Sequence, residues 1–270
     1  MVIHKDPPEK PSKKQFTRFL VDSPLEIRLL RSNPGSEAFK ESFDVPFEVY
    51  KKYQMIIHKD EEGDCDHKGF TQFLCDSPLK EEHKAGGFPE GYGSFHQQYW
   101  LDGKLVAVGV LDILPSCTSS VYLYNDPDFW FLSIGTYSAL REIAFTSQLR
   151  KYGIEHYYMG FYIHSCPKMV NKGKYAGSYL LCPESYLWFP VPECTPKLDV
   201  NKYSRFAATE TRDTNGTIEL DNVLVLYLRQ AMPYMIYKAV GENVCDQDEV
   251  LQYAKLVGQT CCERMLLYRS

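Results

Sequence analysis

The sequence lacks any apolar run close to the roughly 20 residues that a membrane-spanning helix needs. It also lacks a surplus of positive charge, because 30 Lys and Arg residues face 35 Asp and Glu residues, for a net charge of −5 at pH 7. This balance argues against sequence-independent binding of nucleic acid by overall charge, although a local basic patch stays compatible with it. The first residues, with Lys5, Asp6 and Pro7, do not form a secretory signal.

Paired cysteine motifs are missing as well. The nine cysteines are odd in number, and no two of them form a CxxC motif. The adjacent Cys261 and Cys262 have no second pair at the spacing of a zinc site. Without a secretory signal, this pattern predicts reduced thiols in the cytoplasm or the nucleus, with no bound metal.

One segment is present twice. Residues 1–25 and 55–79 agree at 14 of 25 positions when they are aligned without gaps. A predicted helix, with Asp44 as its N-cap and Pro46 in its first turn, precedes only the second copy. We interpret residues 25–78 as a complete unit and residues 1–24 as the tail of an earlier one, as duplication of one exon would produce. Two independently useful helical segments are the alternative.

Strand patterns begin after Gly91. Two extended runs flank Asp102-Gly103, a dipeptide typical of a tight hairpin turn, and "SSVYLYND" predicts a third strand. A helix is predicted from Ser133 to Gly153, with Tyr137, Leu140 and Ala144 on its apolar face. The strand "EHYYMGFYI", a polar loop, the extended run "SYLWFPV" and an amphipathic helix near the C-terminus follow. This order predicts an α+β fold, a sheet with helices on its faces.

Six of these runs closely resemble, in order, the arginyl-tRNA–protein transferase family: "GYGSFHQQYWLDGKLVAVGVLDILP", "YNDPDF", "YSALREIAFT", "YYMGFYIHSCPKM", "LLCPESYLWFPV" and "LVGQTCCERMLL". The resemblance covers about residues 40 to 270. It implies an acetyltransferase-like (GNAT-type) fold with a mainly antiparallel sheet over residues 91–270. A helical segment over 25–90 and a peripheral partial duplicate over 1–24 would precede it. The family's cysteine-rich N-terminal region, associated with cluster or metal binding, has no counterpart here.

The resemblance also implies an activity. The family transfers arginine from arginyl-tRNA to protein N-termini that begin with Asp, Glu or oxidised Cys, and a ubiquitin ligase then recognises the product for degradation. An aminoacyl ester is already activated, so the reaction needs neither ATP nor another cofactor. The enzyme must orient the acceptor amine, remove its proton and stabilise an oxyanion.

Residues for these tasks are predicted from their chemistry. The donor guanidinium requires carboxylates, for which Asp112, Asp126 and Asp128 are the candidates, with turn and capping roles as the alternative. Lys168 and Lys172 are the candidates for binding the acidic acceptor or tRNA phosphates, and a solvated basic loop is the alternative.

Proton handling is assigned to His164 and Tyr162, because a neutral imidazole accepts a proton near pH 7. A purely structural histidine is the alternative. His96, between polar neighbours, is a secondary candidate. Cys166 is interpreted as a packing residue, because the reaction does not require a nucleophile.

Two other functions compete with this prediction. A CoA-dependent N-acetyltransferase would carry a glycine-rich loop at the start of the long helix, whereas "FLSIGTYS" offers Gly135 alone, so no CoA is predicted. A non-catalytic isoform is the second. Asn171, the Ala176-Gly177 pair and Tyr179 stand where the family typically has Tyr, Arg-Pro and an acidic residue, which favours this second alternative.

Overall fold

The computed structural model describes residues 24–211, 218–241 and 245–269, apart from the side chain of Lys168. These residues form two compact units, of which the first ends at Phe161 and the second begins at Tyr162. The domain boundary that the sequence predicts between residues 90 and 91 stays a prediction. Residues 1–23, nearly all of the predicted partial duplicate, lie outside the described ranges.

A five-stranded sheet forms the centre of the first unit. Its strands are paired in chain order, and only the last pair is parallel. The strands are β1 (Leu25–Asn33), β2 (Gly93–Leu101), β3 (Lys104–Ile113), β4 (Cys117–Asn125) and β5 (His156–Tyr158). The predicted α+β class with a mainly antiparallel sheet is confirmed, and the arrangement is consistent with an acetyltransferase-like fold.

The predicted hairpin turn is present between β2 and β3. Asp102 and Gly103 have φ angles of 50° and 72°, the left-handed values that a two-residue turn of type I′ requires. Asp and Gly are the residues that adopt this backbone with little strain, so the turn follows from the sequence.

The segment predicted to be helical over residues 25–90 begins with a strand. Apolar side chains alternate with charged ones along β1, and this period of two is that of a strand with one face buried. The helical part begins only at Glu37. It comprises α1 (Glu37–Glu41), α2 (Asp44–Tyr53), a π-helix (Gln54–His58), a 3₁₀ turn (Glu62–Asp64), α3 (His67–Phe70) and a second π-helix (Thr71–Cys75).

The prediction that Asp44 is the N-cap of α2 is wrong. Asp44 is the first residue of α2, and the capping position falls on Phe43, whose backbone is already helical at φ −54° and ψ −41°. The capping side chain lies one helix earlier, where the Phe39 N–H donates to the Ser36 hydroxyl at 3.3 Å. Only two residues separate the end of α1 from the start of α2, so the chain enters α2 without an extended capping residue.

One face of the sheet packs on α2 and α3. Phe47 and Tyr50 of α2 and Phe70 of α3 join buried side chains of β3 and β4 in the largest apolar cluster. His96 on β2 lies fully buried beside it, with its ring edge-on to Phe39 at 5.0 Å. The secondary candidate His96 therefore belongs to the core of the fold.

The long helix α4 (Ile134–Leu149) is present, but its predicted apolar face is wrong. Tyr137 and Leu140 are 38% and 52% exposed. The buried face has a large apolar residue only at each end, Ile134 and Leu149, and carries small or polar residues between them: Ser138, Ala139, Glu142 and Thr146. Small side chains allow α4 to approach the sheet closely, and hydroxyl groups donate hydrogen bonds to the buried Glu142. Counting the apolar positions of the helix does not predict either feature.

The second unit is built around two smaller sheets. β6 (Tyr179–Leu181) pairs with β7 (Trp188–Pro190), and β8 (Leu224–Tyr227) lies between β9 (Gln230–Pro233) and β10 (Leu267–Arg269). The helices are α5 (Pro167–Val170), α6 (Val191–Val200), α7 (Tyr234–Val240), α8 (Gln247–Val257) and α9 (Gln259–Cys262). The predicted amphipathic helix near the C-terminus is confirmed as α8. None of the helices in the described ranges combines the length and apolar character that a membrane crossing demands.

Candidate functional site

Two of the three predicted donor-binding carboxylates lie together at the end of β4. Asp126 is 2% exposed, and its oxygens contact Lys52 Nζ at 2.5 Å and Lys104 Nζ at 2.8 Å. Asp128 shares Lys52 at 2.7 Å. Burial raises the pKa of Asp126, but hydrogen bonds from Lys104 and Lys52 outweigh it, so that the pKa lies below its usual range. Both carboxylates therefore already have ammonium partners within the fold.

Asp112 is not part of this cluster. It lies near the C-terminal end of β3, whereas Asp126 donates its N–H to the Val106 carbonyl at 2.8 Å, near the other end of that strand. Asp112 follows Val106 by six positions, a distance of about 20 Å at the usual strand rise. The Ser94 hydroxyl donates to Asp112 at 2.6 Å, and burial raises the pKa of this carboxyl. The three aspartates thus do not form one carboxylate pocket, and donor binding by any of them stays a prediction.

A fourth carboxylate, which the sequence analysis missed, lies on the buried face of α4. Glu142 is 1% exposed, and the Tyr157 hydroxyl of β5 donates to its Oε2 at 2.5 Å. The Ser120 hydroxyl of β4 also hydrogen-bonds to it, yet burial is the larger effect and raises the pKa of Glu142. The one available signal was Gly109, because a glycine inside an apolar strand often marks a close approach. A Cβ at that position would lie 2.8 Å from Glu142 Oε1.

In the second unit, the two predicted proton-handling residues are in direct contact. The Tyr162 oxygen lies 2.8 Å from His164 Nδ1, and His164 Nε2 lies 2.7 Å from Asp199 Oδ1. Since a carboxylate only accepts, Nε2 carries the ring proton, and Nδ1 accepts from the Tyr162 hydroxyl. Asp199, in the last turn of α6, was not anticipated, because 35 residues separate it from His164. Together the three side chains form a hydrogen-bonded chain that can move a proton.

The turn that carries Lys172 lies against the Tyr162 ring. A Cβ on Gly173 would lie 3.2 Å from Tyr162 Cε2 and 3.1 Å from Val191 Cγ1, so a glycine allows this close packing. Lys172 is half-buried, and burial lowers its pKa. Lys168 lies in the short helix α5, and its side chain is outside the described part of the structure. Binding of an acceptor or of tRNA by the two lysines stays a prediction.

Residues 45–182 match a family model described as "Arginine-tRNA-protein transferase, C terminus". The match spans half of the chain and covers the sheet of the first unit from β2 to β5, helix α4, and the segment with Tyr162, His164 and Lys172. The chain belongs to this family.

Relatives from several kingdoms share the similarity. The chain is 46% identical over 249 residues to "Arginyl-tRNA--protein transferase 1" of Drosophila melanogaster, which covers 90% of this chain and 51% of that protein. It is 47% identical over 184 residues to a protein of the same name from Arabidopsis thaliana, covering 66% of this chain and 28% of that protein. An "Aspartate/glutamate leucyltransferase" from Pseudomonas fluorescens is 29% identical over 181 residues, 66% of each chain.

The length of the match limits what is transferred from these relatives. This member of the arginine-tRNA-protein transferase family spans about half the length of the Drosophila protein and less than a third of the Arabidopsis protein. Membership of the family is therefore a property of the chain, whereas the activity of the longer relatives is a hypothesis for it.

Proposed function

We propose that this chain transfers arginine from arginyl-tRNA to the N-terminal amine of proteins that begin with Asp, Glu or oxidised Cys. The proposal depends mainly on one observation, the hydrogen-bonded chain of Tyr162, His164 and Asp199. Removal of a proton from the acceptor amine is the chemical task that an activated ester leaves to the enzyme. The family match includes Tyr162 and His164.

The step balances without a cofactor. The amine nitrogen attacks the ester carbonyl carbon, an amide bond forms, and the bond to the terminal ribose oxygen of tRNA breaks. The Tyr162 oxygen takes the amine proton while its own proton passes to His164 Nδ1. Asp199 stabilises the imidazolium that forms, by accepting from Nε2–H. The proton then returns to the departing ribose oxygen.

Acceptor selection is assigned to the turn beside Tyr162. Lys172 is attached to the segment that packs on the Tyr162 ring, so a cation there would lie close to the amine being deprotonated. An acidic first side chain would pair with this ammonium group, and charge-assisted hydrogen bonds of this kind are the stronger ones. Lys168, one helical turn before Lys172, is proposed to contribute to the same task or to bind tRNA phosphates.

Downstream events follow from the proposed product. An arginylated N-terminus is proposed to be recognised by a ubiquitin ligase, which leads to degradation of the protein. We also propose that the chain acts in the cytoplasm or the nucleus, supported by nine cysteines that are all free thiols in the structure. Imaging of a fluorescent fusion tests the location, and an exclusively secreted fusion would contradict it.

A second candidate function is a non-catalytic member of the family that competes for a substrate or partner. The observation that favours it is the altered loop, in which Asn171, the Ala176-Gly177 pair and Tyr179 stand where the family typically has Tyr, Arg-Pro and an acidic residue. Transfer of labelled arginine from arginyl-tRNA to a peptide beginning with Asp, compared with a matched peptide beginning with Ala, separates the two functions. Selective labelling of the Asp peptide supports the transferase, and labelling of neither supports the competitor.

A further inference from the structure

Two acidic side chains in the described part of the protein are buried, and their surroundings differ. Asp126 has two lysine partners at 2.5 and 2.8 Å. Glu142 has only hydroxyl partners, Tyr157 and Ser120, and no ion pair of the described residues includes it. Burial of a carboxylate without a cation is costly, so a fold that retains one is a candidate for a binding function.

Among the described residues, the elements around Glu142 place no cation in an ion pair with it. Tyr99 of β2 and Tyr157 of β5 lie near Glu142. Burial raises the pKa of each tyrosine, and the charge of Glu142 raises it further. β3 contributes Gly109, where the missing side chain leaves room for the carboxylate. Arg141, the residue before Glu142 in α4, is exposed, and its charge lowers the pKa of Tyr99. It forms no ion pair with Glu142 among the described residues.

Glu142 of α4 faces the sheet at the point where the pairing of two strands ends. β4 and β5 pair only from Cys117 to Ser119 on one strand and from His156 to Tyr158 on the other. Ser120, a hydrogen-bond partner of the carboxylate, is the first residue of β4 beyond that pairing. In the described residues no strand pairs with β4 on this side after Ser119. Glu142 therefore lies where the two strands part.

We propose that Glu142 binds the guanidinium group of the donor arginine and is a specificity-determining residue of this protein. The inference depends on the proposed function, because arginine is the amino acid to be transferred. A guanidinium supplies the cation that the buried carboxylate lacks, and it pairs with both carboxylate oxygens at once. To admit it, the Tyr157 side chain rotates away from Oε2, and its ring stays available for stacking on the planar cation.

A pair of small donor mimics tests the inference without tRNA. Arginine methyl ester and citrulline methyl ester have nearly the same shape, but the second carries a neutral urea in place of the guanidinium. Binding of each to the full chain is measured by calorimetric titration. The unsubstituted chain should bind the arginine ester more tightly by about tenfold to a hundredfold, and Glu142→Gln should bind both equally.

Thr146→Val is the matched control. Thr146 is also buried on the same face of α4, one turn further on, and its hydroxyl bonds to the Glu142 backbone carbonyl at 2.8 Å. This variant should keep the preference for the arginine ester. The inference is overturned if Glu142→Gln keeps that preference, if Thr146→Val loses it to the same extent, or if the unsubstituted chain binds neither ester at millimolar concentration. It is also overturned if Glu142→Gln does not fold. A carboxylate that is kept for binding a ligand is not needed for folding, so the neutral glutamine should be tolerated at this position.

The same chain in a transfer assay separates this inference from the proposed function. Ester discrimination that depends on Glu142, without any transfer from arginyl-tRNA, would refute the transferase and leave the guanidinium site in place. Transfer of arginine at the same rate by Glu142→Gln and by the unsubstituted chain would refute the guanidinium site and leave the transferase in place.

Discussion

At the scale of single residues, His96 shows how burial decides the role of a side chain that composition alone would mark as functional. Its Nε2 lies 2.8 Å from the Leu74 carbonyl, so this nitrogen carries the proton, whereas Nδ1 has no hydrogen-bond partner among the residues that the structure describes. Protonation of Nδ1 would place an unpaired charge among Phe39 and Phe70. Burial therefore lowers the pKa of His96 from 6.5 to about 4.

This shift predicts a pH dependence of stability. The folded pKa lies below the unfolded one, so the contribution of His96 is present above pH 6.5 and is lost as the pH falls towards 4. The loss amounts to about 3 kcal/mol over that window, at about 1.4 kcal/mol for each unit of pKa shift. His96→Gln does not titrate, so its free energy of unfolding in urea should fall less than that of the unsubstituted chain between pH 7 and 4.5. Parallel curves for the two proteins would contradict the assignment.

A second residue-scale prediction concerns Lys172, whose turn packs on the Tyr162 ring. Removal of its charge in Lys172→Ala should lower kcat/KM for an Asp-starting peptide about tenfold to a hundredfold, because a charge-assisted hydrogen bond is worth roughly 1.5–3 kcal/mol. The apparent KM for arginyl-tRNA should stay the same.

Lys174→Ala is the matched control, because Lys174 is exposed on the same turn. It should leave both constants unchanged. If Lys172→Ala instead raises the KM for arginyl-tRNA and reduces its dependence on salt, the lysine contacts tRNA phosphates and not the acceptor.

At the scale of elements, the ion pairs of Asp126 at the end of β4 connect this strand with a helix and a second strand of the first unit. Lys52 lies on α2, Lys104 begins β3, and both contact Asp126. Asp126→Asn should leave two ammonium groups without their buried partner and lower the free energy of unfolding in urea. Because both lysines are partly exposed, solvent screens the effect, and a loss of about 1–2 kcal/mol is expected rather than the larger cost of a fully buried pair.

Asp128→Asn provides the comparison for this prediction. Asp128 is largely exposed, and in the described part of the chain its ion pair is with Lys52 only, so its loss should cost less than about 1 kcal/mol. If Asp126→Asn and Asp128→Asn lower the free energy of unfolding equally, the burial of Asp126 does not strengthen its ion pairs, and the prediction is wrong. Normal stability of both, together with impaired use of arginyl-tRNA, would instead support the donor-binding role predicted from the sequence.

Element by element, the sequence predicted best where local chemistry decides the structure. The Asp102-Gly103 turn and helix α8 follow from backbone preference and from a regular apolar stripe. The buried face of α4 did not follow, because it depends on hydroxyl groups of β4 and β5 that satisfy Glu142. Such partners are brought together by tertiary structure, and helical periodicity carries no information about them.

At the scale of the whole molecule, the family was predicted from long collinear runs, and the match over residues 45–182 confirms it. Of the hydrogen-bonded chain in the candidate site, the sequence predicts two members and not the third. Tyr162 and His164 are two residues apart, so their contact is local, whereas Asp199 reaches the same histidine through α6. Asp112 and Asp126 both follow apolar runs, yet antiparallel pairing of β3 and β4 places the ends of those runs on opposite edges of the sheet.

The central claim, arginine transfer assisted by Tyr162, is tested most directly by single-turnover transfer of labelled arginine from arginyl-tRNA to an Asp-starting peptide. Tyr162→Phe keeps the ring and removes the hydroxyl that bonds to His164, and Tyr175→Phe makes the same change at a half-buried tyrosine nearby. We expect transfer by the unsubstituted chain, an equal rate for Tyr175→Phe, and a rate lower by about a hundredfold or more for Tyr162→Phe with an unchanged melting temperature. Transfer at the full rate by Tyr162→Phe, or no transfer by the unsubstituted chain, would contradict this claim.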